Sequence, residues 1–252
     1  MGLDIHLFAC LSDNYGILIR DQATGLAATV DTPDAPAILA EADRLGWHLS
    51  LVLNTHWHPD HAGGNQAIKD ATGAEIVGPP EVTRIAPLDR PVVEGDEVGL
   101  GDTRLRVIQT NGHTNGHLSY YAAQAGAVFV GDTLFALGCG RLFEGTAQDM
   151  WASLGKLTAL PDATQVYCAH EYTASNARFA LSVDADPEVA ARCQAVFAAR
   201  AEGRPTVPTS IALEKATNPF LRAPLLAAAL GAFASDAEAF GLVRAAKDGF
   251  QG

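Results

Sequence analysis

The tightest constraint on this chain is the stretch from residue 54 to residue 65, NTHWHPDHAGGN, which follows the apolar run Leu49, Ser50, Leu51, Val52, Leu53. A short apolar run that closes in polar residues reads as a buried strand, and ligands in open α/β proteins gather beyond the carboxyl ends of strands. Any fold must therefore end a buried strand where His56, His58, Asp60 and His61 can share a small volume. His56 and His58 are two apart, so an extended segment points both the same way. Pro59 makes no ladder bond and turns the chain, which lets Asp60 and His61 face a second, adjacent pocket. Nitrogen and oxygen donors without thiolate suit zinc, iron(II) or manganese. A solvated polar loop is the plainer alternative, but it gives no reason for three histidines directly after a strand.

Upstream, residues 15–20 and 26–31 read as a hairpin closed by the turn chemistry of residues 21–25. Asp31, Thr32, Pro33 and Asp34 form a helix-start signal for a helix carrying Ile38, Leu39, Ala42 and Leu45, with Gly46 as its stop. Downstream, a short helix over 65–71, a strand over 75–78 and two strands on either side of Gly101 and Asp102 are expected. A glycine-punctuated loop, TNGHTNGH over 110–117, leads into strands at 118–123 and 127–130. Gly131 and Asp132 follow directly. Thr146 with Asp149 reads as a capping box for a helix through Leu160, and the strand at 164–168 ends at His170. Each of these polar residues sits where a strand gives way to a loop, the same address as the first motif.

From Tyr172 onward the chain turns to alanine-rich helices, one opened by Asp186 and Pro187 and a last one by Ser235 with a capping box at Glu238. This change of texture places a domain boundary near residue 170, giving one domain over 1–170 and a helical one over 171–252. A chain of 252 residues, 48% hydrophobic, has enough apolar material for both. Eighteen consecutive apolar residues occur nowhere, and the N-terminus has neither a basic start nor a cleavage site, so a cytoplasmic protein without a membrane partner is expected. The four cysteines, Cys10, Cys139, Cys168 and Cys193, form no CxxC pair and read as reduced core thiols. A formal net charge of −12 disfavours nucleic acid, and an anionic substrate would need a local basic patch.

Of the eight histidines, His6 and His48 have no ligand cluster beside them and read as structural. His113 and His117 are four apart, the spacing of a helical zinc pair, but Asn115 and Gly116 argue against a helix, so only one is expected to be a ligand. Asp132 could close a turn, yet its place after a buried strand suits a carboxylate bridging two cations. With His170, five imidazoles and two carboxylates would complete a two-metal site, which acidifies a bridging water and clamps the attacking and departing atoms.

The HxHxDH run, the glycine-flanked His113, the Gly-Asp at Asp132 and the late His170 resemble the metallo-β-lactamase superfamily. GDTLFALGCGRLFEGT (131–146), YCAHEYTASN (167–176), NPFLR (218–222) and LVRAAKDGF (242–250) resemble, more narrowly, the hydroxyacylglutathione hydrolases, also called glyoxalase II. The resemblance spans nearly the whole chain. It implies an α/β (α+β) fold, an αββα sandwich followed by a small helical C-terminal domain. It assigns His56, His58 and His113 to one divalent metal and Asp60, His61 and His170 to another, with Asp132 bridging and His117 left out. Zinc is the first expectation for both metals, with iron or manganese as alternatives. It implies glutathione contacts from Arg141, Tyr172, Arg244 and Lys247, the last two being three apart on one helix and so on a shared face. Phe143 departs from the family where some members carry a tyrosine, which removes one hydroxyl contact.

The implied activity is hydrolysis of S-(2-hydroxyacyl)glutathione, chiefly S-D-lactoylglutathione, by a metal-bridging hydroxide, with Asp60 and Asp132 as catalytic carboxylates. This is a step of methylglyoxal detoxification, and a monomer acting on a small-molecule thioester is expected. Rival expectations are a persulfide dioxygenase with one iron, a nucleic-acid-processing hydrolase, which the charge disfavours, and a binding module that kept only the fold.

Overall fold

The computed structural model describes residues 2–252, and the chain divides into two compact units. The first holds residues up to Gln109 together with Gly116–Gly131. The second holds Thr110–Asn115 and Asp132–Gly252. The chain thus enters the second unit briefly at the TNGHTN loop and returns to stay at Asp132. This division differs from one made by change of texture at residue 170, because compactness follows packing and not order along the chain.

The first unit is built on two sheets. One runs β1 (Leu3–Cys10), β2 (Asn14–Asp21), β3 (Ala27–Val30), β4 (Leu49–Leu53), β5 (Glu75–Gly78) and β6 (Arg90–Pro91) in that spatial order. Its first three strands pair antiparallel and the remainder parallel. In the other, β7 (Glu97–Leu100), β8 (Thr103–Gln109), β9 (Leu118–Ala122) and β10 (Ala127–Gly131) form an antiparallel meander. Helix α1 (Ala35–Leu45) crosses between β3 and β4. Its Ile38 and Ala42, with Ile68 of helix α3 (Asn65–Thr72), pack on Leu18, Leu49, Val52 and Ile76 of the first sheet. Burial of each large aliphatic side chain contributes about 1.5–3 kcal/mol, and several such side chains together outweigh a cap of about 0.5–2 kcal/mol, so this face and not propensity fixes the helices on the sheet.

Local signals set the ends. Asp34, the last of the four start residues, is the N-cap, accepting from Ala37 N at 3.1 Å, while Gly46 closes the helix at φ 67°. Pro59 opens a four-residue helix, α2 (Pro59–Ala62), instead of merely turning the chain. Strand β1 was not among the sequence expectations, although Leu3, Asp4, Ile5, His6 and Leu7 alternate apolar and polar as a strand does; in the fold every residue but its last two is half-buried.

The second unit carries the tight hairpin β11 (Leu134–Phe135) and β12 (Gly138–Cys139), helix α4 (Ala147–Thr158), the antiparallel pair β13 (Gln165–Cys168) and β14 (Thr209–Ser210), and helices α5 (Thr173–Val183), α6 (Pro187–Ala201), α7 (Ile211–Thr217), α8 (Ala223–Leu226) and α9 (Asp236–Asp248). Leu137, Ala177, Ala180, Val189, Cys193 and Val196 form one apolar core. The Thr146–Asp149 capping box forms in both directions. At α9 Ser235 accepts from Glu238 N, but the Glu238 carboxylate accepts from Ala234 N, so only half of the expected box is made.

A buried polar frame holds the β11–β12 hairpin. Glu214, fully buried and paired with Arg192, accepts from Leu137 N at 3.0 Å and from Asn218 Nδ2 at 2.9 Å. Asn218 Nδ2 also donates to Phe135 O and Gly138 O, and Asn176 Nδ2 to Ala136 O. These donors and acceptors satisfy the hairpin's backbone, which lets Leu137 keep its φ of 56°.

Candidate functional site

In the first unit the ligand motif leaves β4 and is pinned from several sides. Tyr120 Oη donates to Asn54 O at 2.6 Å and Leu118 N to Thr55 O at 2.8 Å, so strand β9 fixes the backbone just ahead of His56. Asn54 Nδ2 and Thr32 N both donate to His61 O. The backbone on either side of the motif is thus anchored, and its His56 and His61 are buried while Asp60 stays part-exposed.

Its side chains converge. The His56 and His61 ring centroids are 4.0 Å apart, and His56 Nε2 lies 3.0 Å from His58 Nδ1. His61 Nε2 is 3.5 Å from Asp60 Oδ2, and that oxygen accepts from Asn14 Nδ2 at 3.2 Å. The two expected pockets are therefore contiguous through His56 and His61. Asp60 is the outward member, with its side chain 40% exposed.

Two residues that the sequence reading passed over orient the imidazoles. Asp31, placed in a helix-start signal above, stands at φ 59° at the end of β3. Its carboxylate accepts from Thr55 N at 2.7 Å and Thr55 Oγ1 at 2.8 Å, and its Oδ2 lies 2.8 Å from His61 Nδ1. Because a carboxylate only accepts, the single Thr55 proton is spent on Asp31, and Thr55 Oγ1 must accept from His56 Nδ1, 3.1 Å away. Both rings are thus held as tautomers whose Nε2 carries the lone pair, the form that binds a cation. The available signal was positional: Asp31 follows a buried strand as Asp132 does.

His117, left out as a ligand, is fully buried, and its ring stacks 4.9 Å from that of His56. Gly131 makes room for this packing. At φ 47°, a Cβ there would stand 2.5 Å from Thr55 Oγ1 and 2.8 Å from His117 Nε2.

The second unit supplies a second cluster. Asp132 Oδ2 lies 3.4 Å from His113 Nε2 and Asp132 Oδ1 3.4 Å from His170 Nε2, so each carboxylate oxygen faces a different imidazole. His113 Nδ1 lies 2.9 Å from the Arg141 carbonyl, which can only accept, so this ring too presents Nε2. Gly140 leaves room for this packing: a Cβ there would lie 2.0 Å from Asp132 O and 3.2 Å from His113 Nδ1. His170 stacks on Tyr172, with centroids 4.7 Å apart and planes 4° from parallel.

The four glutathione-contact candidates all lie in this unit but in different settings. Arg244 is 5% exposed; it donates to Cys139 O at 3.0 Å and to Asp248 Oδ1 at 2.9 Å, and its guanidinium stands 4.8 Å from the Phe220 ring. A solvated face would not look like this. Lys247, half-buried, donates to Ser175 O and Oγ at 3.1 Å and faces the Phe179 and Phe250 rings. Burial, reinforced by Arg244, Arg178 and Arg141, pushes its ammonium down to about 8, while Asp248 opposes the shift. Arg141 is well exposed, its Nε 3.8 Å from the same Asp248 carboxylate. Arg244 and Lys247 thus share a helix but not a partner. Phe143 is exposed, its ring centroid 5.2 Å from that of His113.

The donor set fits divalent metal. Seven side chains offer imidazole nitrogen or carboxylate oxygen, and three of the five rings have their other nitrogen fixed by an acceptor. The four cysteines are buried and unpaired, so none competes as a disulfide, and among the described residues no helix is long and apolar enough to cross a membrane.

Comparison with known proteins agrees with this chemistry. The family model described as the metallo-beta-lactamase superfamily matches residues 21–170, and that described as the hydroxyacylglutathione hydrolase C-terminus matches residues 171–250. The chain is 51% identical to a hydroxyacylglutathione hydrolase of Erythrobacter litoralis, over 98% of this chain and 100% of that one. It is 53% identical to one of Maricaulis maris, over 98% of each. Among solved structures, ETHE1 from Myxococcus xanthus superimposes with a TM-score of 0.70 at 29% identity, covering 96% of this chain and 90% of that one. The mixed α/β fold is that of the metallo-β-lactamases with a helical C-terminal domain, and the superfamily together with the His/Asp clusters points to divalent metal binding. With both family models matched in tandem and relatives aligned end to end, the chain belongs to the hydroxyacylglutathione hydrolase family of the metallo-β-lactamase superfamily.

Proposed function

We propose that this chain hydrolyses S-(2-hydroxyacyl)glutathione, chiefly S-D-lactoylglutathione, to the hydroxy acid and glutathione. In this reading His56, His58 and His113 hold one divalent cation, Asp60, His61 and His170 hold a second, and Asp132 serves both. As a member of its family the chain is a thioester hydrolase. The observation that carries the assignment is the Asp132 carboxylate, whose two oxygens face His113 and His170, the imidazoles given to different cations. Zinc suits the donors best, with iron or manganese as alternatives.

Bound there, the cations would supply an acidified water and polarisation of the thioester carbonyl. The rest is done by the chain. Asp31 and Thr55 hold His56 and His61 in their binding tautomers, and the Arg141 carbonyl does so for His113. Asp60, held by Asn14 and part-exposed, orients a carboxylate oxygen, Oδ2, toward which the water's proton can move. No acid is required for the leaving group, since a thiol of pKa about 8.5 departs as thiolate. Arg141, Tyr172, Arg244 and Lys247 bind the glutathione moiety, whose carboxylates match three cations in an otherwise acidic chain. We set the domain limit at residue 170, the segment 171–252 supplying three of these four contacts. The unpaired thiols favour a cytoplasmic setting, the net charge of −12 argues against nucleic acid, and the acting form is taken to be the monomer.

The test is initial-rate hydrolysis of S-D-lactoylglutathione on protein whose metal has been counted in the same preparation. Turnover that rises in step with two bound metals is expected. Absence of turnover with both sites filled would overturn the reading.

A further inference from the structure

Among the described residues, three other than glycine hold a positive φ: Leu11 at 51°, Asp31 at 59° and Leu137 at 56°. Such conformations persist where surrounding contacts hold them, and they cluster at functional sites. Asp31 orients two imidazoles, and Leu137 closes the hairpin framed by Glu214 and Asn218. Leu11 has no such explanation. It lies in the turn that joins β1 to β2 directly beyond the Cys10–Asn14 pair, and its side chain is 58% exposed. The chain thus bears backbone strain there in order to present an apolar side chain to water, against the ordinary preference for Gly, Asn or Asp in a left-handed turn position.

The turn is tied to the metal motif. Asn14, its first residue on the β2 side, donates through Nδ2 to Asp60 Oδ2 at 3.2 Å and to Asp60 O at 3.4 Å. Asp60 is the outward member of the motif, so the turn that carries the exposed leucine is anchored, three residues further on, to the carboxylate that faces outward from the ligand cluster.

We propose that Leu11 is a specificity-determining residue that packs against the acyl substituent of the thioester. The inference rests on the proposed function, and deepens it. The substrate's carboxylates belong to the remote glutathione end, which the cations of the second unit recognise, whereas the ligands of Asp60's motif act at the carbonyl. The alkyl group beside that carbonyl is the apolar part of the substrate and the one an exposed leucine suits. An apolar wall of this kind discriminates by about tenfold or more per methylene it covers.

The experiment compares calorimetric binding of S-methylglutathione and S-hexylglutathione to the metal-loaded wild type, Leu11→Gly and Leu11→Asn, with thermal midpoints and wild-type turnover of S-D-lactoylglutathione alongside. Both substitutions accept a left-handed backbone, so folding is expected to be kept or improved. The expected result is a wild-type preference for the hexyl compound of about tenfold or more that falls severalfold in both variants, while S-methylglutathione binds all three alike. A preference unchanged in the variants, absent from the wild type, or lost equally for both ligands would overturn the proposal. Failure of the functional reading shows separately, as binding without turnover in the wild type.

Discussion

The two ligand clusters are built by opposite means. The first unit takes four candidates from six consecutive positions and orients two of their rings through side chains, Asp31 and Thr55. The second draws His113, Asp132 and His170 from three separate strand ends and orients His113 through a main-chain carbonyl. A contiguous motif concentrates its ligands but needs outside help to aim them. A dispersed set is aimed by the fold itself. The first kind of cluster can be disturbed by substituting residues that touch no metal, and the second only through its ligands or backbone.

Asp132→Ala tests the dispersed cluster at its centre and should have the largest effect. Hydrolysis is expected to vanish and metal content to fall; full activity with two metals retained would remove Asp132 from the site. Next, Asp31→Ala should weaken metal affinity or activity by about 10–100-fold, as for other carboxylates that orient a ligating histidine. Titration of metal-depleted protein reads this directly, and wild-type affinity in the variant would mean that His56 and His61 need no side-chain orienter.

Arg244→Ala should raise KM about tenfold with little change in kcat, because a charge-assisted contact remote from the reacting carbon is lost. As Arg244 is buried and bonded to Cys139 O, a lower thermal midpoint is expected too, and an unchanged KM would leave it only a structural role. Arg141→Ala sharpens the contrast between clusters. Its carbonyl, not its side chain, serves His113, so metal content should stay constant while KM rises a few-fold; loss of metal would break the distinction.

The smallest effect is pH-dependent. Lys247 is charged below about pH 8, and raising pH through that value discharges it, so KM should climb above pH 8 in the wild type and stay flat to higher pH in Lys247→Arg. For stability the sign is reversed. With a folded value of about 8 against an ordinary 10.5, the folded chain binds fewer protons between those limits, so this group's contribution is unfavourable below about 8 and stability gains as pH rises through the window. Parallel KM profiles for the two proteins would remove Lys247 from substrate binding.

Much of this was legible in the chain because strand ends announce themselves: β4, β10 and β13 each finish close to a ligand, and hydrophobic runs of that length are readable from one sequence. The part Asp31 plays at His61 was hidden because the same residues, Asp-Thr-Pro-Asp, make the helix start that forms, and nothing local says that the first aspartate faces His61 while the fourth residue caps the helix. The embedded arginine was equally hidden. Helical spacing puts Arg244 and Lys247 together, but only tertiary packing turns one to Cys139 and the other to Ser175. Leu137 and Glu214 are 77 residues apart, and no pattern joins a leucine's amide to so distant a carboxylate.

The four cysteines gain a meaning from the reaction. A protein that releases glutathione is bathed in a thiol, and in its disulfide whenever the surroundings turn oxidising. Exchange with that disulfide requires a protein thiolate. Burial pushes Cys139 up to about 11 and Cys168 up to about 12, and raises Cys10 and Cys193 as well. At neutral pH the first two are thiolate in only about one molecule in ten thousand or fewer, and are closed to solvent besides. The chain is therefore built to resist S-glutathionylation by the oxidised form of its own product.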